Sequence, residues 1–138
     1  MRLEAEGMSL IEKPSEAQVI SVIKSLRSYG STSFASLTDD KGSYLQVGGG
    51  GIACVLEHRD SVKGRHYRGY WDKPGNALTD DTTLVVGGSR ISLKTDECFD
   101  VSTVIDAFVA FLARQEFPPK IKWRDMSEMF PDLMPRDR

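Results

Sequence analysis

Residues 33–58, SFASLTDDKGSYLQVGGGGIACVLEH, decide the fold of this chain. Apolar and polar residues alternate through the stretch, and two groups of turn-forming residues, 39–42 and 48–51, interrupt the alternation. Alternation with period two between turn residues is typical of antiparallel strands. The predicted strands cover residues 33–38, 43–47 and 52–58. They form the first part of a β-meander.

The same pattern continues downstream. A fourth strand is predicted over residues 65–71 and ends before a Pro-Gly turn. Strands over 82–86 and 90–94 are predicted to form a final pair across a Gly-Gly-Ser turn. The middle of the chain therefore predicts an antiparallel meander of about six strands.

Helical patterns flank the predicted sheet. Ser15 and Gln18 have the spacing of a capping box, and apolar residues then recur every three or four positions. They predict a helix over 15–29 that ends at Gly30. A second, broadly apolar helix is predicted to follow the capping residue Asp100 and to continue to a double proline.

The predicted fold class is α+β, with the meander packed against an N-terminal and a C-terminal helix. A chain of 138 residues has the size of one domain, 1–138. Residues 1–13 lack a pattern and are interpreted as a loose N-terminal arm or a short edge element, and 134–138 as a frayed tail. Alternation at 120–123 predicts one more strand, and we assign Trp123 to the core.

Composition excludes several classes of protein. Hydrophobic residues make up 40% and charged residues 28%, which is typical of a folded domain. The 18 basic and 20 acidic side chains give a net charge of -2, so nucleic acid is not expected as the main partner. No apolar run approaches the roughly 20 residues of a membrane span, and no secretory leader is recognised. Cys54 and Cys98 form no C-x-x-C pair, which disfavours zinc and a disulfide scaffold and favours a cytoplasmic location.

The residues that could carry chemistry have simpler structural explanations. Cys54, His58 and His66 could supply a thiol nucleophile and a base, but Cys54 lies on the apolar face of a predicted strand, where thiols are usually inert. The glycines at 48–51 could bind an anion, but neither a helix nor a Lys-Ser pair follows them, which favours a turn or bulge. We therefore expect no enzyme, no metal site and no cofactor.

Basic and aromatic side chains concentrate in residues 58–73, which we call the ribbon. Its members include Arg59, Lys63, Arg65, Tyr67, Arg68, Tyr70 and Trp71. Such a segment could stack the bases of a single-stranded nucleic acid, or it could be a protein-binding hot spot. Because neighbouring residues of a strand point to opposite faces, half of these side chains are also candidates for the core.

Acidic residues occur in turns and at a helix start. They are Asp39-Asp40, Asp80-Asp81 and Asp96-Glu97 with Asp100. Turn and capping chemistry explains all of them. Together they could also give the rim of the meander a surface that meets a basic partner.

A set of segments in a fixed order carries a family resemblance. The segments are the N-terminal helix, the strand with Tyr44-Leu45-Gln46-Val47 running into glycines, Gly87-Gly88 before Ile91-Ser92-Leu93, the apolar helix from Val101, and Pro119-Lys120-Ile121-Lys122-Trp123-Arg124-Asp125. In this order they resemble the first family of immunity proteins from bacterial polymorphic toxin systems. These are small α+β proteins often encoded beside deaminase-type toxins.

The resemblance implies a cytosolic, non-enzymatic inhibitor that binds a cognate toxin domain and blocks its active site or substrate path. Tight binding needs aromatic or arginine anchors surrounded by complementary charge. The predicted partner-binding residues are Arg68, Tyr70 and Trp71 as anchors, with Asp39, Asp40, Asp80 and Asp81 as outer charges. A single-stranded nucleic-acid-binding module that uses the ribbon and an enzyme with an unrecognised site at Cys54 remain alternatives. Open sheet edges would permit a homodimer.

Overall fold

An antiparallel sheet of seven strands carries the fold. The computed structural model describes residues 1–28, 30–51, 53–71 and 82–129. The strands are β1 (Arg2–Ala5), β2 (Ile11–Glu12), β3 (Phe34–Thr38), β4 (Tyr44–Gly50), β5 (Ala53–Asp60), β6 (Arg65–Tyr70), β7 (Thr82–Val86), β8 (Ser89–Leu93) and β9 (Lys122–Asp125). The helices are α1 (Glu16–Ser25) and α2 (Val101–Leu112), with short 3-10 helices at Thr95–Glu97 and Ser127–Met129. Neither α1 nor α2, the helices of the described ranges, has the length and apolar character needed to cross a membrane.

The strand order in the large sheet is β2-β1-β3-β4-β5-β6-β9. Strands β3 to β6 are neighbours in both sequence and space, so the α+β class and the antiparallel meander are confirmed. The prediction of about six strands was too low. Residues 1–13 form an edge element rather than a loose arm, because β1 pairs with β3 from Arg2 opposite Thr38 to Ala5 opposite Ala35. The tail at 134–138 lies outside the described residues.

The final predicted strand pair does not extend the large sheet. Strands β7 and β8 form a separate two-stranded sheet, which we call the hairpin. Gly87 and Gly88 join them with φ angles of 57° and 80°. Positive φ at both central residues is the requirement of the tight hairpin turn that matches strand twist. The hairpin packs on the large sheet through Leu84 and Leu93, which are buried in one cluster with Val55 of β5.

The capping box of α1 is confirmed, but the predicted end of this helix was wrong. Ser15 Oγ accepts a hydrogen bond from the Gln18 amide at 3.1 Å, and Gln18 Oε1 accepts one from the Ser15 amide at 2.9 Å. The helix ends at Ser25, because Leu26 turns to extended backbone and is buried. The Arg27 amide then donates to Thr32 O at 2.9 Å. This hydrogen bond closes a loop that contains Gly30 and leads the chain back to the sheet.

Helix α2 begins as predicted and ends earlier than predicted. Asp100 Oδ1 accepts a hydrogen bond from the Thr103 amide at 2.9 Å. The helix stops at Leu112, before the two prolines, because Arg114 takes the left-handed conformation with a φ of 57°. The Gln115 amide then donates to Ala110 O at 2.9 Å, which closes the last turn.

Both helices cover one face of the sheet and bury the main core there. The fully buried residues of this core include Val19, Ile23, Leu37, Leu45, Leu56, Phe99, Val104 and Phe108. Trp123, which the sequence assigned to the core, is half-buried and packs against it. On the opposite face, the hairpin covers one end of the sheet over a smaller apolar cluster that includes Cys98.

The glycine run belongs mostly to a strand, which corrects the prediction of a turn or bulge over 48–51. Gly48 to Gly50 pair with β5, and only Gly51 lies in the turn. A Cβ atom added to Gly48 would lie 2.8 Å from Val86 Cγ2, and one added to Gly50 would lie 2.2 Å from Leu26 O. Bare backbone therefore lets the hairpin and the segment that follows α1 approach the sheet closely.

Candidate functional site: the polar face of the sheet

The side of the sheet turned away from the helices is polar where the hairpin does not cover it. The strand register aligns Thr38, Tyr44, Arg59 and His66 in one row across β3 to β6. The next row consists of Ser36, Gln46, Glu57, Arg68 and Arg124. Residues directly opposite one another in a sheet point to the same side. We call these two rows the polar face.

Half of the polar face is held together by charge, and we call this half the ion-pair cluster. Its members are Glu57, His66, Arg68, Asp96, Glu97 and Arg124. The Glu57 carboxylate lies 2.9 Å from His66 Nε2 and 3.7 Å from Arg68 Nη2. Glu97 lies 3.8 Å from Arg68 and 3.0 Å from Arg124, and Arg124 also reaches Asp96 at 3.2 Å. The two arginines thus bridge the sheet to the 3-10 helix at Thr95–Glu97.

The ion-pair cluster is largely withdrawn from solvent. The side chains of Glu97 and Arg68 are 5% and 14% exposed. Charges at this depth are tolerated only when their partners are close, because their removal from water is costly. The Arg124 guanidinium also lies 4.6 Å above the centre of the Tyr70 ring. This half of the face is therefore a fixed structural element.

The other half of the polar face has no side-chain hydrogen bonds or ion pairs among the described residues, although the Tyr44 ring meets the edge of His66 at 6.3 Å, and we call this half the open patch. It consists of Ser36, Thr38, Tyr44, Gln46 and Arg59. All five residues are half-buried, and within the described ranges none of their side chains has a hydrogen bond or ion pair. Nη1 of Arg59 is fully buried without an acceptor. Burial is also the main cause that raises the pKa of Tyr44, and the Glu57 carboxylate adds to it.

The structure separates the three predicted anchors. Arg68 is a member of the ion-pair cluster, and Tyr70 lies beneath Arg124 on the same face. Trp71 lies on the helix side, where its ring stacks on Phe99 at 5.1 Å. Its Nε1 donates a hydrogen bond to Cys98 O at 3.0 Å. Trp71 therefore contributes to the core and is not adjacent to the other two on one surface.

The predicted outer charges lie in turns. Asp39 Oδ1 accepts hydrogen bonds from the amides of Lys41 and Ser43 at 2.9 and 3.0 Å, as turn chemistry requires. Asp40 is exposed and pairs with Arg114 at 3.3 Å. A backbone hydrogen bond and the Arg114 guanidinium lower the pKa of Asp40. Asp80 and Asp81 lie outside the described residues.

The geometry does not join Cys54 to either histidine. Cys54 is 1% exposed in the helix-side core, so the prediction that it occupies a buried apolar position is confirmed, and burial raises the pKa of its thiol to about 12. His58 shares that side of the sheet, where Phe117 and Trp123 surround its ring at 5.0 and 5.7 Å. Burial lowers the pKa of His58. His66 lies on the opposite face, in the ion-pair cluster.

The remaining residues of the ribbon also divide between the two faces. Tyr67 stacks on His58 at 6.1 Å, on the helix side. Arg65 is 3.8 Å from Asp125 at the edge of the sheet. The aromatic rings of the ribbon therefore do not line one surface on which successive bases could stack.

Sequence reasoning missed Glu57, Glu97 and Arg124 as site residues. Glu97 was interpreted as part of an acidic turn, and Arg124 belonged only to the closing motif. They meet because β9 pairs with β6, which brings Arg124 opposite Arg68. One signal was present: Glu57 occupies a polar position of the strand predicted over 52–58. A carboxylate is rarely buried without a partner, so Glu57 in this largely apolar strand indicates partners on the face to which it points.

Groups of three or more potential metal-ligating side chains are absent from the described part of the chain. No family model matches the chain, and no curated protein matches it. The resemblance to immunity proteins therefore stays a prediction, and the function is argued from the polar face.

Proposed function

We propose that this chain is an immunity protein that binds a cognate secreted toxin domain through the polar face and neutralises it. The observation that supports the proposal is the open patch, whose half-buried polar side chains have no hydrogen bond or ion pair within the described residues. Its Arg59 Nη1 is fully buried without an acceptor, and because buried polar groups are normally hydrogen-bonded, this atom calls for an explanation. A bound partner that supplies the missing hydrogen bonds is such an explanation.

A rigid support makes the open patch suitable for binding. Gln46 and Arg59 lie beside Glu57 in the sheet, and Glu57 is fixed by His66 and Arg68. Side chains that are already ordered lose little freedom when they bind, which favours affinity. The ion-pair cluster thus positions the patch, while the patch makes the contacts.

The arrangement favours a protein partner over a single-stranded nucleic acid. Arg65, Arg68 and Arg124 already have carboxylate partners within 4 Å. Phosphate binding depends on cations whose charge is available, and base stacking depends on exposed rings. Tyr67 and Trp71 direct their rings to the helix side instead.

The toxin as the class of partner comes from the family resemblance. Deaminase-type toxins that act on nucleic acids are the partners this resemblance suggests. In the proposed mechanism, the sheet covers the active site of the toxin or the path of its substrate, and the chain itself performs no chemistry.

The test is capture of the products of neighbouring genes by the purified protein, followed by titration calorimetry with each captured product. We expect a 1:1 complex of nanomolar affinity, and loss of toxicity when the two proteins are expressed together. Gln46→Glu should weaken the complex at least tenfold, because its carboxylate would lie near Arg59 and take up the charge of that guanidinium. Ser21→Glu, at an exposed position on α1, is the matched control and should bind normally.

Two results would overturn the proposal. One is the absence of any binding partner together with oligonucleotide binding that weakens steeply with salt, which would favour the nucleic-acid module. The other is a tight toxin complex that Gln46→Glu leaves unchanged, which would remove the polar face from the interface.

A further inference from the structure

We propose that the open patch is a carboxylate-binding subsite, in which Arg59, with Tyr44 and Gln46, receives an aspartate or glutamate side chain of the partner protein. This inference rests on the proposed function for the statement that the partner is a protein. It adds the chemistry by which the partner is recognised and names the residue that anchors it.

Among the described residues, Arg59 differs from the other arginines of the two rows in having no counterion. Arg68 and Arg124 each lie within 4 Å of two carboxylates. Nη1 of Arg59 is buried without an acceptor; Nε of Arg68 is too, but the charge of Arg68 is balanced by its two carboxylates, whereas within the described ranges that of Arg59 is not. Removing a guanidinium partly from water without giving it an acceptor raises the free energy of the folded protein. An anion that binds the guanidinium lowers this free energy again.

The neighbouring carboxylate on the face does not serve this purpose. Glu57 lies two positions before Arg59 on the same strand and therefore on the same side. It is bound to His66 at 2.9 Å and lies 3.7 Å from Arg68. An anion for Arg59 must therefore come from outside this pair of rows.

The groups around Arg59 suit a carboxylate. Tyr44 lies directly opposite Arg59 on β4, and Gln46 lies two positions further along the same strand. A guanidinium binds a carboxylate through two parallel hydrogen bonds, and a phenol hydroxyl or an amide NH₂ can donate to the lone pairs that remain. Arg59 is itself only half-buried, so an incoming side chain can reach it.

The first experiment uses the free protein and two small probes, so that it does not depend on capture of a partner. The probes are a terminally blocked peptide that contains one glutamate, and inorganic phosphate, each titrated to millimolar concentration. Arginine Nε–H signals and backbone amides are followed by NMR. We expect the glutamate peptide to shift the signals of Arg59, Tyr44 and Gln46 in a saturable way. Those of Arg65 should not respond.

Variants identify the group responsible. Arg59→Gln should abolish the saturable shifts at Tyr44 and Gln46, while Arg59→Lys should weaken binding several-fold, because an ammonium lacks the planar fork. Arg65→Gln is the matched control, since Arg65 is an arginine near the same end of the sheet with its own partner, Asp125. Unchanged amide spectra outside the patch show that each variant is folded.

Three outcomes would overturn the inference: no saturable shift at Arg59, equal shifts at Arg59 and Arg65, or tighter binding of phosphate than of the glutamate peptide. The last would indicate a phosphate-bearing ligand such as nucleic acid. A captured partner gives a separate measurement, in which Arg59→Gln should raise the dissociation constant about tenfold or more. A tight complex that is insensitive to Arg59→Gln would retain the proposed function and reject the subsite.

Discussion

The ion-pair cluster and the open patch lie side by side on one face of the sheet and meet on β5, yet they use similar residues in opposite ways. Among the described residues, Arg68 in the cluster lies within 4 Å of two carboxylates, whereas Arg59 in the patch has no carboxylate partner. Although its Nε also lacks an acceptor, the charge of Arg68 is already balanced, so it stabilises the fold and has less charge to offer a partner. The comparison teaches that the pairing of a side chain, rather than its type, decides whether it is available for recognition.

A substitution that breaks the ion-pair cluster should have the largest effect on the stability of the protein. Glu97→Gln keeps the shape of the side chain and its hydrogen bond to the Lys94 amide, but removes the charge that faces Arg68 and Arg124. We expect the free energy of unfolding to fall by about 3 kcal/mol, since breaking a buried ion pair leaves uncompensated charge. Urea denaturation measures it. Asp40→Asn removes an exposed partner of Arg114 and should leave stability unchanged; an equal loss in both variants would contradict the distinction.

The hairpin-covered end of the face depends on close packing instead of charge. Gly49 has a φ of 90°, and a Cβ there would lie 2.3 Å from Ala53 O. Gly51 has a φ of 67° but no atom within 4 Å of such a Cβ. Gly49→Ala should destabilise the protein by about 3 kcal/mol and Gly51→Ala by about 1 kcal/mol, since only the first adds a clash to the backbone strain. Thermal unfolding of both variants would reveal the difference, and similar losses would refute the role of the contact.

The stability of the protein should depend on pH through His58, which lies beneath the open patch on the helix side of the sheet. His58 Nδ1 lies 3.0 Å from Tyr44 O, and burial lowers the pKa of this imidazole. In the unfolded chain His58 binds a proton near pH 6.5, whereas in the folded state it binds that proton only at a lower pH. Stability should therefore be full above pH 6.5 and decline as the pH falls below it, by at most about 1.4 kcal/mol per pH unit. His58→Gln should flatten that slope in urea denaturation between pH 7 and 5. If the slope is unchanged in this variant, groups other than His58 cause the pH dependence of stability.

The smallest effect on stability is expected in the open patch itself. Gln46→Leu removes an amide that has no hydrogen-bond partner within the described ranges, so the free energy of unfolding should change by less than about 0.5 kcal/mol. The same variant should bind a captured partner more weakly. Differential scanning calorimetry and titration calorimetry separate the two effects. A large loss of stability would show that the patch belongs to the structural half of the face.

Local features of the fold could be predicted from the sequence because neighbouring residues determine them. The Ser15–Gln18 capping box, the Asp100 cap and the alternation of β3 to β6 are all decided within a few residues. The ends of the helices were predicted less well. Leu26 leaves α1 because its side chain is buried in the core, and a distant contact of this kind leaves no local signal.

The candidate site was predicted only in part for the same reason. Arg68 and Tyr70 were predicted as anchors, but the Glu97 carboxylate beside Arg68 and the Arg124 guanidinium above Tyr70 come from segments far along the chain. Residue type alone therefore led to Arg68 and passed over Arg59. The register between strands was needed to distinguish them.

The late position of β9 in the chain makes the order of synthesis relevant to this protein. Strand β9 pairs with β6, which precedes it by the hairpin and the whole of α2. Until residues 122–125 leave the ribosome, Arg68 and Glu97 lack the arginine that completes their network. A chain that lacks these residues has no Arg124 to pair with Glu97 at 3.0 Å and Asp96 at 3.2 Å. The network on this face is therefore completed only when β9 is synthesised and pairs with β6.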